Sequence, residues 1–268
     1  MSVGTTAAAP PRQERVMSLR VRDRILSIAS PIGLLLVWEI AARTGLIDTR
    51  FFPAPSSVLA LLIEMLKSGE LLVHTAASLR RLAWGILIGG APALVLGIVM
   101  GLNRTIRALV DPIMAATYPI PKSSILPLAL LVFGLGESSK IFMVAIGVFF
   151  PVAINATTGV LEINKIYLDV GRNYKADRWS MFWTIALPGA LPVIMTGFKL
   201  GIGIGLILIA IAEMIGAKSG LGFLIWSAWE TFAVEQMYVG LFMIALIGFV
   251  LTVVLNELER YIIPWKAS

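Results

Sequence analysis

The chain reads as an all-α polytopic membrane protein with about six transmembrane helices, and three observations carry that reading. Of its 268 residues, 58% are hydrophobic and only 14% are charged, with a mean hydropathy of +0.88. A soluble domain carries about 45–50% apolar and about 25% charged residues, so this composition cannot coat a water-soluble particle. Uncharged runs of spanning length recur at 82–103, 141–161, 179–198 and 236–256, each as long as the roughly 20 residues that cross the hydrocarbon core. Glycine (24) and proline (14) are also more frequent than a rigid bundle needs.

In chain order, residues 1–24 read as a disordered, basic cytoplasmic tail, rich in Ala, Pro and Thr at its start. Arg12, Arg15, Arg20, Arg22 and Arg24 outnumber Glu14 and Asp23 there, which keeps this end in the cytoplasm by the positive-inside rule. The first span covers Ile25 to Ala42 and carries Glu39 near its end. Its basic flank lies far from the start and no small-x-small cleavage site precedes a mature domain, so it does not read as a signal peptide. Residues 45–71, with Phe51, Phe52, Pro53 and Pro55, fit an external loop with a short helix, so that 25–75 holds the first span and its loop. The stretch from Leu71 to Ala83 mixes apolar residues with Arg80 and Arg81, a pattern for an interfacial helix. The third span, Leu109 to Phe133, contains Asp111 and Lys122. The fifth runs past Lys199 to about Ile215. Six spans return the C-terminus, with a tail at 261–268, to the cytoplasm.

Polar residues at membrane depth are costly and face a cavity or a partner. Lys122, Lys199 and Glu213 are such residues. Each lysine either attracts an anionic solute, pairs with an internal glutamate or snorkels to an interface; Glu213 reads better as a structural partner than as a proton carrier. Pro119, Pro121 and Pro127 fall within nine residues and should break the third span. Broken backbone at that depth is tolerated where it is buried in protein or lines a wet cavity, so Pro119, Pro121 and Lys122 are candidate translocation-path residues, with Lys199 and Glu213. Glycines four apart, Gly85/Gly89, Gly97/Gly101 and Gly197/Gly201/Gly205, let helices approach closely.

Several chemistries are excluded by residue type. Cysteine is absent and His74 is the one histidine, which removes disulfides, thiolate sites and histidine metal clusters. No nucleophile–base or metal constellation is present, so catalytic and metal residues are none and the chain is not expected to be an enzyme. Gly216-Ala217-Lys218-Ser219 ends like a phosphate-binding loop, but Ile211 stands where the leading glycine belongs and no nucleotide-binding strand precedes it. No cofactor is expected on this chain.

Between the fourth and fifth spans, about 162–183 mixes charges with Ile166, Leu168, Tyr174, Trp179, Phe182 and Trp183. This is a short amphipathic helix beneath the membrane, a ridge for a partner's groove or for the lipid surface. Counting back from Ile185-Ala186-Leu187-Pro188, the stretch resembles the cytoplasmic signature of the permease subunit of ATP-binding-cassette importers: an acid at Asp169, the glycine position at Lys175, then the Ile-x-Leu-Pro end. Lysine lacks the easy left-handed turn of glycine. Further stretches are similar to permeases of the nitrate/sulfonate/taurine type: Phe51-Phe52-Pro53-Ala54-Pro55, Pro119-Ile120-Pro121-Lys122 with Leu126-Pro127 and Phe133-Gly134-Leu135-Gly136-Glu137, Pro188-Gly189-Ala190-Leu191-Pro192, and Ala212-Glu213-Met214-Ile215-Gly216 before Gly220-Leu221-Gly222.

That resemblance implies a type I importer fold with its conserved domain at 76–260, in a bacterial inner (plasma) membrane. It implies a pore made with a second permease subunit, two ATPase subunits beneath it holding ATP and Mg, an external solute-binding protein, the lipid bilayer around it and no nucleic acid. Asp169, Arg172, Tyr174, Lys175, Ala176, Asp177, Arg178, Trp179, Leu187 and Pro188 would carry the coupling to the ATPase. The solute would be a small anion such as nitrate, bicarbonate, a sulfonate or taurine. The competing reading is a secondary transporter driven by an ion gradient through Glu213 and Lys199; such carriers often show inverted repeats, and the two halves here share no convincing similarity.

Overall fold

The computed structural model describes residues 12–265. Among the described residues, eleven α-helices, one 3-10 turn and one π-helix follow in order, with no strand. The chain divides into two compact units, 1–61 and 62–268.

In the first unit, α1 runs Arg12–Arg43. The tail expected to be disordered is therefore helical from residue 12; its Arg, Glu, Val, Met and Leu residues include several good helix formers. Residues 1–11 of that tail lie outside the described residues. At the far end of α1, Glu39 pairs with Arg43 and accepts the backbone amide (3.0 Å) and the hydroxyl (2.7 Å) of Ser56. This carboxylate satisfies an orphan amide at the start of α2, Pro55–Ser68, and lies at the negative-preferring end of that helix dipole. The expected short helix after the first span is α2.

In the second unit, α3 (Glu70–Leu102), α6 (Glu137–Leu161) and α9 (Leu187–Met214) form the centre, with α6 packed along both others. Its buried residues include Met143, Val144, Val148, Val152, Ala153 and Ala156, and a helix apolar on all sides belongs inside. The glycines explain the close approach. A Cβ on Gly89 would sit on the carbonyl of Ala145, one on Gly97 would lie 2.5 Å from the Ala153 oxygen, and one on Gly197 would lie 2.9 Å from that of Pro151. Thr157 donates to the Gly97 carbonyl at 3.1 Å across the same contact.

The third span is broken. Helix α4 (Arg104–Thr117) and the segment Lys122–Phe133, a 3-10 turn leading into α5 (Leu126–Phe133), meet at 88°. Asn103 starts α4, its side chain accepting from the amides of Thr105 and Ile106. Pro119 and Pro121 remove two amide donors at the corner. With the bent pair taken as one, six segments are long and apolar enough to span a membrane. Short α10 (Leu221–Glu230) precedes the last span, α11 (Val234–Ile262); the expected C-terminal tail thus begins inside the end of α11, and residues 266–268 lie outside the described residues.

Gly89→Ala should destabilise the protein by about 1–3 kcal/mol through overpacking, whereas Gly203→Ala, whose Cβ meets nothing within 4 Å, should be neutral or stabilising by up to about 1 kcal/mol. Thermal unfolding of the detergent-solubilised chain distinguishes the two.

Candidate functional site

The segment between α6 and α9 is not the single amphipathic helix expected at about 162–183. Helix α7 (Lys165–Asn173) starts at Asn164, whose side chain accepts the Ile166 amide at 3.0 Å. It ends in a left-handed turn: the Lys175 amide donates to the Arg172 carbonyl and the Ala176 amide to that of Gly171, both at 2.9 Å. This is the paired pattern of a Schellman cap with Lys175 at the position normally held by glycine. Lys175 has φ +53°, so the left-handed turn is made without glycine. A non-glycine residue there costs about 1–2 kcal/mol.

Asp177 then starts a new helical turn, α8 (Arg178–Ser180), accepting the Ser180 amide at 2.9 Å. Hydrogen bonds from Ser180 hold its carboxyl below the usual carboxylate range. This capping contribution is present above the unfolded carboxylate's pKa and is lost as pH falls through the lowered folded value. Met181–Ala186 continues as a π-helix into α9. Pro188 has no amide to bond the Thr184 carbonyl, and its ring crowds that carbonyl; wider π turns recur where the regular ladder is interrupted. Gly171 packs α7 against this segment, where a Cβ would lie 2.6 Å from the Ile185 methyl and 3.0 Å from that of Met181.

Most of the expected coupling side chains point outward. Tyr174 is 85% and Trp179 68% exposed; Asp169, Arg172, Lys175 and Asp177 are also exposed and Ala176 half-buried. Arg172 pairs with Asp169 at 3.3 Å. Trp179 stacks on Phe182 at 6.2 Å and meets the edge of Trp183 at 5.5 Å. Leu187 and Pro188 are half-buried at the first turn of α9. Arg178 lies on the backbone of α8. Beside this segment a cleft of about 550 Å³ is lined by Asn103, Leu161, Arg172, Ala176, Asp177 and Met181, among others.

The candidate residues at membrane depth are not brought together. Lys122 donates to the carbonyls of Thr117 and Tyr118 at 3.0 Å and of Ile120 at 3.1 Å, and its ammonium lies 4.2 Å from the centre of the Phe150 ring. The first of these carbonyls is the one Pro121 cannot serve, so the lysine closes the corner that Pro119 and Pro121 open. Lys199 forms an ion pair with Glu259, joining α9 to α11.

Glu213 is fully buried in a network that the sequence did not reveal. Arg81, 2% exposed, donates to Glu213 at 2.8 Å, to both carboxylate oxygens of Glu137 at 2.6 and 2.8 Å, and to the Ser219 carbonyl at 2.6 Å. Ser78 donates to Glu213 and accepts the Leu221 amide at 2.8 Å, while the Gly222 amide donates to Glu213 at 3.0 Å. The Gly220 amide donates to Nδ1 of His74 at 3.1 Å. Lys140, also buried, donates to the Leu135 and Gly216 carbonyls. A Cβ on Gly220 would collide with the Glu213 carboxylate. The phosphate-loop lookalike is thus the strap that wraps Glu213. Arg81 does not sit on a separate interfacial helix: α3 begins at Glu70, eleven residues earlier, and carries Arg81 into the protein interior. The available signal was spacing, since Leu71, Ser78, Leu82, Gly85 and Gly89 mark one helical face and Arg81 falls within it.

Comparison with known proteins is in keeping with these features. A family described as "binding-protein-dependent transport system inner membrane component" matches residues 93–267. The chain is 36% identical over 252 residues to the taurine transport system permease protein TauC of Escherichia coli, covering 92% of each chain. It is 34% identical to a putative aliphatic sulfonates transport permease protein, SsuC, of the same organism, covering 94% of this chain and 97% of that one. The nitrate import permease protein NrtB of Synechocystis is 29% identical, covering 98% of both. A solved structure of the MetNI methionine ABC transporter in inward-facing conformations matches with a TM-score of 0.53 at 20% identity, covering 70% of this chain and 91% of that one; its likeness lies in the fold.

Glu213→Ala strands Arg81 beside Glu137 alone and should cost about 3 kcal/mol, whereas replacing Arg81 and Glu213 together by methionine should recover part of that loss; thermal unfolding in detergent measures both. Lys175→Gly should stabilise the turn by about 1 kcal/mol and slow hydrogen exchange at the Ala176 amide, while Lys175→Val should speed it.

Proposed function

Because the chain belongs to the family of binding-protein-dependent transport system inner membrane components, and is a permease subunit of an ATP-binding-cassette importer, we propose that it forms half of a translocation pore for a small sulfonate-bearing solute. In this reading a second permease subunit, most simply an identical copy, completes the pore. Two ATPase subunits carrying ATP and Mg dock beneath it, and an external binding protein delivers solute. Both termini lie in the cytoplasm of a bacterium, with the chain in its inner membrane. The solute class rests on the similarity to the taurine and aliphatic sulfonate permeases.

The observation that carries the coupling role is the exposed aromatic ridge at 166–183. Ile166, Tyr167, Tyr174, Trp179 and Trp183 present large apolar surface to solvent, and aromatic residues that cluster so are anchors of protein interfaces. A capped turn at Lys175 and a cap at Asp177 fix their directions. Asp169, Arg172 and Arg178 would add charge at the rim of the contact, and Leu187 with Pro188 would pass its movement into α9. ATP binding would favour one state of the ATPase pair, and the ridge would transmit that preference as a population shift of the pore. The bent corner at Pro119, Pro121 and Lys122 would line the path. Lys199 and Glu213, each already neutralised by an ion pair, would hold helices beside it.

Trp179→Ala should lower ATP-driven uptake in proteoliposomes about tenfold or more, the effect of losing an interface anchor, while ATP hydrolysis continues. Uptake by the chain alone under a proton or sodium gradient would instead favour the secondary-transporter reading.

A further inference from the structure

A second cavity, of about 370 Å³, lies between α4 and α6, lined by Arg107, Asp111, Tyr118, Ile154, Thr157 and Thr158 among others. This volume falls in the range of small-molecule sites. It lies against the bent corner, since Tyr118 packs on Phe150, the ring that also carries Lys122. Its polar groups differ in availability. The Thr157 hydroxyl is committed to the Gly97 and Ala153 carbonyls. Arg107 and Asp111 are not committed: among the described residues neither side chain takes part in an ion pair or hydrogen bond.

Some opposite charges three or four residues apart on exposed helix faces pair directly, as Glu39 with Arg43, Asp169 with Arg172 and Glu257 with Arg260, and others, as Glu64 and Lys67 on α2, do not. Arg107 and Asp111 stand four apart on α4, near enough for side chains to meet, but with the cation first, the weaker order for a helical pair. They border the same cavity without closing on one another.

We propose that Arg107 and Asp111 form a transit site for a small zwitterion, the guanidinium holding its sulfonate or carboxylate and the Asp111 carboxylate holding its ammonium. A simple anion is disfavoured there because the fixed negative charge of Asp111 repels it. A solute whose opposite charges are two or three bonds apart bridges the pair and leaves both satisfied. Thr158 and Tyr118 supply further polar contact. Resting on the importer reading, the inference narrows the sulfonate-bearing solute to one that also carries an amine. It lies on the α4 half of the bent span, which faces the cytoplasm in the proposed orientation and so serves exit.

The test uses the assembled permease–ATPase complex in nanodiscs without binding protein, and saturation-transfer NMR with two probes that differ in one group. Taurine carries the ammonium, and isethionate carries a hydroxyl in its place. Wild type should bind taurine about tenfold better than isethionate, the scale of one charged hydrogen bond. Asp111→Asn should erase that preference, Arg107→Gln should weaken both probes, and Arg107→Lys should retain binding. Equal binding of the two probes to wild type, no binding of either, or a preference that survives Asp111→Asn would overturn the site. Should a variant fail to assemble, the wild-type comparison decides alone. ATP-driven uptake in the same preparation judges the importer reading separately, because it can succeed while this site fails.

Discussion

The second unit depends on backbone-to-backbone contact among α3, α6 and α9. In lipid there is no hydrophobic force to press apolar helices together, so association rests on packing and on hydrogen bonds between helices. Glycine at 89, 97 and 197 removes the side chains that would hold the axes apart, and carbonyls of α6 occupy that space. Thr157 then reaches the Gly97 carbonyl, a bond that a wider spacing would not allow. Once α6 is enclosed, the ends of α3 and α9 are brought near enough for Arg81 and Glu213 to meet.

That meeting reverses an ordinary expectation about charge. Two ions in a water-poor site lose their hydration, and the loss is offset only when geometry is good and the remaining lone pairs are used. Here the carboxylate of Glu213 takes donors from Arg81, Ser78 and the Gly222 amide, and the guanidinium is shared with Glu137 and the Ser219 carbonyl. The loop 215–222 owes its path to this arrangement: its glycines leave room for the carboxylate, and its amides serve Glu213, Ser78 and His74. Lys122 applies the same logic at the broken corner, where an ammonium serves the carbonyls of Thr117, Tyr118 and Ile120.

How much of this was legible in the sequence varied with the range of the signal. Hydropathy is a local sum, so the spans from 82 to 256 were readable directly. The proline corner was readable too, because the loss of an amide is a property of the residue itself. Arg81 reads locally as the boundary of the charge-free run 82–103; only a partner 132 residues away at Glu213 makes its burial tolerable, and pairing over that distance leaves no local trace. The ridge at 162–183 was expected as one helix from its apolar spacing. Its division depends on Lys175 taking a left-handed conformation, which lysine does not announce. Lys199 could be foreseen as a charge needing a partner, but not that Glu259, 60 residues on, would be it.

The π-helical segment Met181–Ala186 has a geometric consequence for the ridge. A π turn accommodates one residue more than an α turn, and each residue of an α-helix advances about 100° around the axis. If that surplus residue is drawn into regular winding at the head of α9, everything before it turns by about that angle. Trp179 and its aromatic neighbours would then swing through more than a quarter of a revolution without unfolding a single span, a built-in swivel between the exposed foot and the rod above it.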